Sequence, residues 1–315
     1  MEHLARIASG VFAQYGVDFT TARRAGGWTN ATWLAGGMAL RLSTAQGHDK
    51  IRREVQLASL LPENVGYPTN IATGVTEGYE WSLSREIPGS TLSDVWPGLD
   101  GSQRSKAIRQ IWASAQTVHA IALDKVGELA RKRAWYNSDD AEEAEARNTR
   151  LVEMAILTKE QGTVVQEALN RFFWAIPTAP CVLNHGDITT DNIIWRQKKV
   201  VSLLDFEWSV VAPTELDLNS VLNLAFGPDT ECGLDSKGLQ KVQQTALDLA
   251  QPVLDHPGGI DLLMGYAVLL AQYRLDLWLA NADSKANLEQ WEPYRRVLSL
   301  ADGRGGYLAP LTQMT

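Results

Sequence analysis

Between residues 180 and 208 two short apolar runs bracket a polar loop, and the pattern dictates local geometry before any function is considered. Pro180-Cys-Val-Leu183 and Asn192-Ile-Ile-Trp195 have strand character; Gln197-Lys198-Lys199 reads as a polar turn, and Val200-Val-Ser-Leu-Leu204 as a returning strand. Such a strand-turn-strand unit is a hairpin. It lays the loop His185-Gly186-Asp187-Ile-Thr-Thr-Asp-Asn192 beside Asp205-Phe206-Glu207, so a carboxylate, an amide and a second carboxylate address one small volume.

Those residue types suit phosphoryl transfer. The reaction leaves little covalent work to the protein, and needs one carboxylate to orient a hydroxyl and further oxygen ligands to hold Mg²⁺ on nucleotide phosphates. Asp187 precedes Asn192 by five residues, the spacing of the protein-kinase catalytic loop, whose second metal ligand lies in a later Asp-Phe-Gly. Neither a Gly-x-x-x-x-Gly-Lys-Ser/Thr loop nor a His-Glu-x-x-His motif occurs, which argues against P-loop and zinc-hydrolase chemistry.

Upstream, Leu4, Ile7, Ala8, Val11 and Phe12 have amphipathic-helix spacing over 2–15, stopped by Gly16. A three-strand meander is expected over 17–25, 31–35 and 38–42, and strands at 71–75 and 80–84 complete a five-stranded sheet. Gly26 to Asn30 occupies the place of a glycine-rich phosphate loop, making Gly27, Trp28, Thr29 and Asn30 nucleotide-binding candidates. Arg41 stands where a kinase carries its phosphate-pairing Lys. A helix over 49–61 places Ile51, Val55, Ala58 and Leu61 on one face and Glu54 on a neighbouring face, as partner for Arg41. The pattern breaks at Arg85-Glu-Ile-Pro-Gly89, so Ser84, Arg85, Glu86 and Ile87 are candidates for a hinge whose backbone meets adenine. The remainder is helical by pattern, at 103–123, 139–158, 161–174, 214–225, 237–254, 261–280 and 285–300.

The loop, with Asp205-Phe-Glu-Trp208, resembles the aminoglycoside phosphotransferase and choline kinase superfamily, and the resemblance extends along most of the chain. It implies an α+β, two-lobed, protein-kinase-like fold. Residues 1–87 would form an N-lobe of five antiparallel strands plus a helix, with a hinge at about 84–88. Residues 88–315 would form a mainly helical C-lobe with a short catalytic β-hairpin. Carried over, Asp187 would be the catalytic base, Asn192 and Asp205 would bind Mg²⁺, His185 would be structural, and Asp217 would buttress the catalytic loop through backbone hydrogen bonds. Superfamily members often keep a Gly-Gly-x-x-Asn and an Arg at the positions of Gly26 to Asn30 and Arg41. His119 matches a Leu-His position and is expected to be a hydrogen-bonded core residue.

The implied reaction transfers the γ-phosphate of ATP or GTP to a hydroxyl of a small molecule. Residues 181–315 hold 10 basic and 17 acidic side chains against 19 and 20 in residues 1–180, within a net charge of -8. That asymmetry disfavours nucleic acid or an anionic membrane as partner and favours a cationic acceptor. The expectation is an antibiotic kinase for aminoglycosides or basic peptides; a metabolic kinase for choline, ethanolamine, homoserine or a sugar shares every motif. A nucleotide-binding pseudokinase is disfavoured because base and ligands are all retained. The short link from Asp205 to a helix near Thr214 leaves little room for a peptide-docking activation segment. Among eleven Trp residues, Trp208 and Trp278 are acceptor-site candidates alongside Glu207, Asp276, Asp283 and Glu289, since aromatic faces and carboxylates suit cations; for Glu207 the resemblance otherwise implies a contact to a metal-bound water, and the residue alone reads as an exposed carboxylate. Two cysteines, Cys181 and Cys232, read as buried free thiols of a reducing cytoplasm. No signal peptide or eighteen-residue apolar run is evident, so a cytoplasmic enzyme is expected.

Overall fold

Alternation of buried and exposed residues builds the amino-terminal part as sheet. The computed structural model describes residues 2–26, 30–136, 140–227, 230, 233–281 and 287–312. Helix α1 (Glu2–Gln14) precedes strands β1 (Arg23–Ala25), β2 (Asn30–Ala35) and β3 (Met38–Ser43); helix α2 (Lys50–Ala58) follows, then β4 (Asn70–Thr76) and β5 (Tyr79–Arg85). These five strands form one antiparallel sheet in the order β1-β2-β3-β5-β4. Its core joins Ile7, Val11 and Phe12 of α1 to Trp33, Leu40, Leu42 and Leu83. Because strand side chains alternate, burying Leu40 and Leu42 on that side turns Arg41 to the opposite face.

Several boundaries differ from the sequence expectation. Residues 17–22 are not strand: Asp18 accepts the Thr20 N–H and caps a 3₁₀ turn at Phe19–Thr21, leaving only Arg23–Ala25 to pair. Helix α2 ends at Ala58, ahead of Pro62. Its buried stripe is Ile51, Glu54 and Leu57, so Glu54 lies on the buried face and not beside it.

The carboxy-terminal part is helical: α3 (Gly101–His119), α4 (Ala141–Glu153), α5 (Lys159–Ala175), α6 (Glu215–Phe226), α7 (Ser236–Leu254), α8 (Gly259–Asn281) and α9 (Glu292–Ala301). Reciprocal caps start two of them, Asp100 with Gln103 on α3 and Thr158 with Gln161 on α5. Helix α8 runs through the core, with Leu262, Leu263 and Tyr266 to Ala271 buried against α5, α6 and α9. Each such large apolar side chain contributes roughly 1.5–3 kcal/mol on burial. No helix among the described residues is long and apolar enough to cross a membrane. The expected helix over 285–300 begins only at Glu292, where Pro293 suits the first turn.

Two small sheets sit among these helices. Strands β8 (Ile193–Arg196) and β9 (Lys199–Leu203) make the expected hairpin, with Gln197 and Lys198 both at positive φ in the turn, and β6 (Ser90–Thr91) adds a third strand. Strand β7 (Cys181–Asn184) pairs antiparallel with β10 (Val210–Pro213), a strand the sequence pattern does not announce. Cys181 is exposed, contrary to the expected buried thiol, because it opens β7 at the surface; Cys232 lies outside the described residues.

Candidate functional site

The loop after β7 is held from below by a single carboxylate. Asp217, in the first turn of α6 and 0% exposed, accepts the backbone N–H groups of His185 (2.8 Å) and Gly186 (3.0 Å). His119 Nε2 lies 3.0 Å from the same carboxylate. Burial raises its pKa, but the hydrogen bonds from His119 and Gly186 and the nearby imidazoles outweigh that and hold it below the usual carboxylate range. Asn184 ties the two strands to the helix, donating to Ala212 O (2.8 Å) and accepting from Asp217 N (3.3 Å). Gly186 is obligatory here: φ is +84°, and a Cβ would lie 2.2 Å from Trp208 O.

His185 is buried and structural in its contacts. Its Nε2 donates to Leu204 O (2.9 Å), while Nδ1 accepts from Asp187 N (3.2 Å), a pattern that assigns the neutral Nε2–H tautomer. The imidazole thereby joins the loop to the strand end that delivers Asp205. Asn192 closes the loop, its Nδ2 donating to the carbonyl (3.0 Å) and the carboxylate (3.2 Å) of Asp187. The amide oxygen of Asn192 accepts no hydrogen bond among the described residues, which leaves it available as a ligand atom. Burial, with a further contribution from the Asp205 charge, pushes the Asp187 pKa up to about 6.

Asp205 adopts φ 64°, ψ 66°, a left-handed conformation that Asp tolerates better than most residues, and turns the chain out of β9 into the 3₁₀ turn Phe206–Trp208. One arginine then ties both halves of the molecule together. Arg41 Nη1 reaches both oxygens of Glu54 at 2.7 Å, and Nη2 donates to Asp205 Oδ1 at 2.9 Å. Glu54 is buried but satisfied, since Tyr67 Oη (2.8 Å) and Phe206 N (3.1 Å) also donate to it. Burial favours the neutral form of Arg41, yet the charges of Glu54 and Asp205 prevail and lift its pKa well above the ordinary value.

Glu207 is 1% exposed, which corrects its reading as an exposed or acceptor-facing carboxylate. Asn30 Nδ2 donates to its Oε2 (2.9 Å), while Oε1 is buried without a partner among the described residues. Carboxylate oxygens of Glu54, Asp205 and Glu207 come within 4.8 Å of one another. Hard oxygen donors so disposed, one of them orphaned, fit a small divalent cation.

The other candidates disperse. Asn30 engages Glu207, whereas Gly27, Trp28 and Thr29 lie outside the described residues. Ser84 and Arg85 remain in β5, paired with Ala39 and Met38. The N–H groups of Arg85 and Glu86 already donate to Thr69 O and Gly37 O, and the Glu86 side chain pairs with Arg23, so of the four expected hinge residues Ile87 is the one beyond the sheet bonds. Asp276 is neutralised by Arg147 (3.1 Å) and Arg150 (2.9 Å), which contradicts its role as a carboxylate for a cationic acceptor. Trp278 is half exposed and packs at a tilt against Trp291, Glu289 is exposed, and Asp283 lies outside the described residues. Trp208 faces Arg131, whose guanidinium lies 3.8 Å from the ring centroid. Sequence reading missed Tyr67, Asn184, Arg53 and Arg131. Arg53 was adjacent to Glu54 on a recognised helix; the others carry no spacing signal.

Solved structures share this architecture. The GDP complex of wild-type aminoglycoside 2'-phosphotransferase-IIIa superposes with a TM-score of 0.65 at 15% identity, over 95% of this chain and 96% of that one. The GDP and kanamycin complex of APH(2")-IIia gives 0.63 at 14%, over 94% and 97%. A thermostable mutant of APH(4)-Ia in ternary complex with AMP-PNP and hygromycin B gives 0.63 at 15%, over 94% and 97%. A search of the curated proteins finds no match. Residues 20–247 match the family model described as Phosphotransferase enzyme family, a span holding the sheet, Arg41, Glu54, the His185 to Asn192 loop, Asp205 and Asp217, and the chain therefore belongs to that phosphotransferase family.

Proposed function

We propose that this phosphotransferase moves the γ-phosphate of ATP or GTP to a hydroxyl of a small, cationic molecule, with Asp187 as base. The observation that carries this reading is the Arg41 fork, which joins Glu54 on α2 to Asp205 at the end of β9, beside a loop in which Asn192 holds Asp187. Asp205, with Asn192 through its free amide oxygen, would hold Mg²⁺, and Glu207, whose carboxylate clusters with those of Asp205 and Glu54, would add a further oxygen donor. Bound there, the cation would neutralise charge on the donor phosphates.

The chain's own groups supply the rest. Asp187 accepts a hydrogen bond from the acceptor hydroxyl, which directs the oxygen lone pair towards phosphorus, and takes the proton as the new P–O bond forms; such general-base assistance is worth about 10² to 10⁴ in rate. Its elevated pKa makes it a better proton acceptor than an exposed aspartate. Arg41 contributes a fixed positive charge near the phosphates, preorganised by Glu54. Asp217 holds the loop at its backbone and so fixes Asp187 relative to the metal ligands.

Adenine or guanine would meet the linker between Arg85, which ends β5, and Ser90, which already pairs with β8; that linker is the proposed lobe boundary. Solved relatives in complex with GDP and AMP-PNP support a nucleotide donor. Those bearing kanamycin or hygromycin B, together with the acidic residues 181–315, support an aminoglycoside-like acceptor and a resistance role. Turnover of the wild-type chain and of Asp187→Ala over a panel of aminoglycosides, basic peptides, choline, ethanolamine, homoserine and sugars tests both levels. Loss of kcat with retained nucleotide binding is expected; activity near wild type removes the base assignment, and turnover confined to choline or homoserine removes the antibiotic reading.

A further inference from the structure

An open cavity of about 620 Å³ is lined by Arg53, Glu128, Arg131, Lys132, Arg133 and Val211 among others. Four cationic side chains face one carboxylate there, in a chain whose net charge is -8. Arg53, Arg131 and Lys132 have no ion pair among the described residues, and like charges brought together cost energy unless an anion offsets them. Burial, then the charge of Arg53, pulls the Arg131 guanidinium below its ordinary value; Glu207 and Asp49 oppose that only in part.

The cations are also organised. Arg53 Nη2, from α2, and Arg131 Nε, from the segment beside β10, donate to one backbone carbonyl, Glu207 O, at 3.0 and 2.8 Å. That bond holds the two guanidinium groups side by side. Each keeps further N–H donors, and neither has a carboxylate ion pair among the described residues. Arg131 is further fixed by its stacking on Trp208 and by its own N–H on Ser209 O at 2.7 Å. Lys132 is exposed and makes no hydrogen bond or ion pair among the described residues.

We infer that this cavity is a binding site for a phosphomonoester anion, distinct from the nucleotide site. Two adjacent guanidinium forks with a lysine at the rim match a doubly charged, tetrahedral oxyanion. The volume falls in the range of small-molecule sites, about 300–1,000 Å³, and exceeds what a lone phosphate fills, so the ester carries a body of sugar-ring size. Arg53 neighbours Glu54 on α2, and the shared carbonyl belongs to Glu207. An anion there clamps the helix carrying Glu54 to the turn that follows Asp205, and regulates the Arg41 assembly from behind.

The test needs no turnover, so its failure is separable from failure of the proposed reaction. The full chain, with its nucleotide site saturated by ADP, is titrated with inorganic phosphate and with phenyl phosphate against chloride at constant ionic strength, by calorimetry and thermal shift. One saturable site is expected, with phenyl phosphate the tighter ligand. Arg53→Gln removes one charged donor and should weaken binding at least tenfold. Lys132→Gln, a change at an exposed residue, should weaken it severalfold without altering the anion-free melting temperature. Binding no better than chloride, affinity unchanged from wild type in both variants, or complete competition by ADP would each overturn the inference.

Discussion

Replacing Asp217 by Asn keeps the shape of the side chain and removes its charge, so it isolates what that carboxylate does for the loop. In the native protein three donors converge on it: His185 N and His119 Nε2 on one oxygen, Gly186 N on the other. The amide can accept at one oxygen only. Its NH₂ must face at least one N–H donor, which loses its partner inside a site that is 0% exposed. An unsatisfied buried donor costs roughly 1–3 kcal/mol, and turning two charge-assisted bonds into neutral ones removes roughly 1 kcal/mol each. The expected destabilisation is about 3–5 kcal/mol at pH 7, read as a shift of the guanidinium unfolding midpoint at unchanged slope. A second signature follows from linkage. The folded pKa of Asp217 is depressed, so its stabilisation is complete above the unfolded value, about 4, and is lost as pH falls through the folded value. The gap between wild type and variant should therefore close in strong acid. Kinetically, kcat should fall while nucleotide KM stays near wild type, because Asp217 grips the Asp187 loop and touches nothing on the Arg41 side. A gap below about 1 kcal/mol at neutral pH, or one that persists in strong acid, would refute the claim that ionised Asp217 anchors the loop.

Further outcomes follow from the same geometry. With Asp187 raised to about 6, log kcat/KM should drop with unit slope on an acid limb at or below that pH; a limb above pH 7 would show that another group is the base. The same raised value means that the folded state binds the extra proton between about pH 4 and 6, so the Asp187 contribution to stability falls as pH rises through that window. Gly186→Ala combines a positive φ with a Cβ 2.2 Å from Trp208 O, and should lose most of its kcat and at least about 2 kcal/mol of stability, measured by turnover and denaturation. Glu54→Gln removes the charge and one of the two oxygens that Arg41 Nη1 reaches, and should raise nucleotide KM and lower kcat, together about a hundredfold in kcat/KM, while Tyr67→Phe, which removes one of four donated bonds to Glu54, should cost less than tenfold.

Much of this protein was determined by sequence alone. Period-two and period-3.6 patterns specified the five-stranded sheet and most helices, because burial selects one face of each element wherever it packs. The spacing of Asp187, Asn192 and Asp205 around a hairpin specified the candidate chemistry, since a five-residue loop and a two-residue turn allow few arrangements. Tertiary structure alone decided which partners those residues acquire. That Glu54 lies on the buried stripe of α2, that Glu207 is enclosed under Asn30, and that Asp276 is consumed by Arg147 and Arg150 all depend on contacts between residues more than ten positions apart. Periodicity reports which side of an element is apolar; it carries no term for a charged group whose burial is compensated by donors from another element. The loop between β7 and β8 could be located from local pattern, but the carboxylate holding it comes from a helix thirty residues on, brought there by the pairing of β7 with β10.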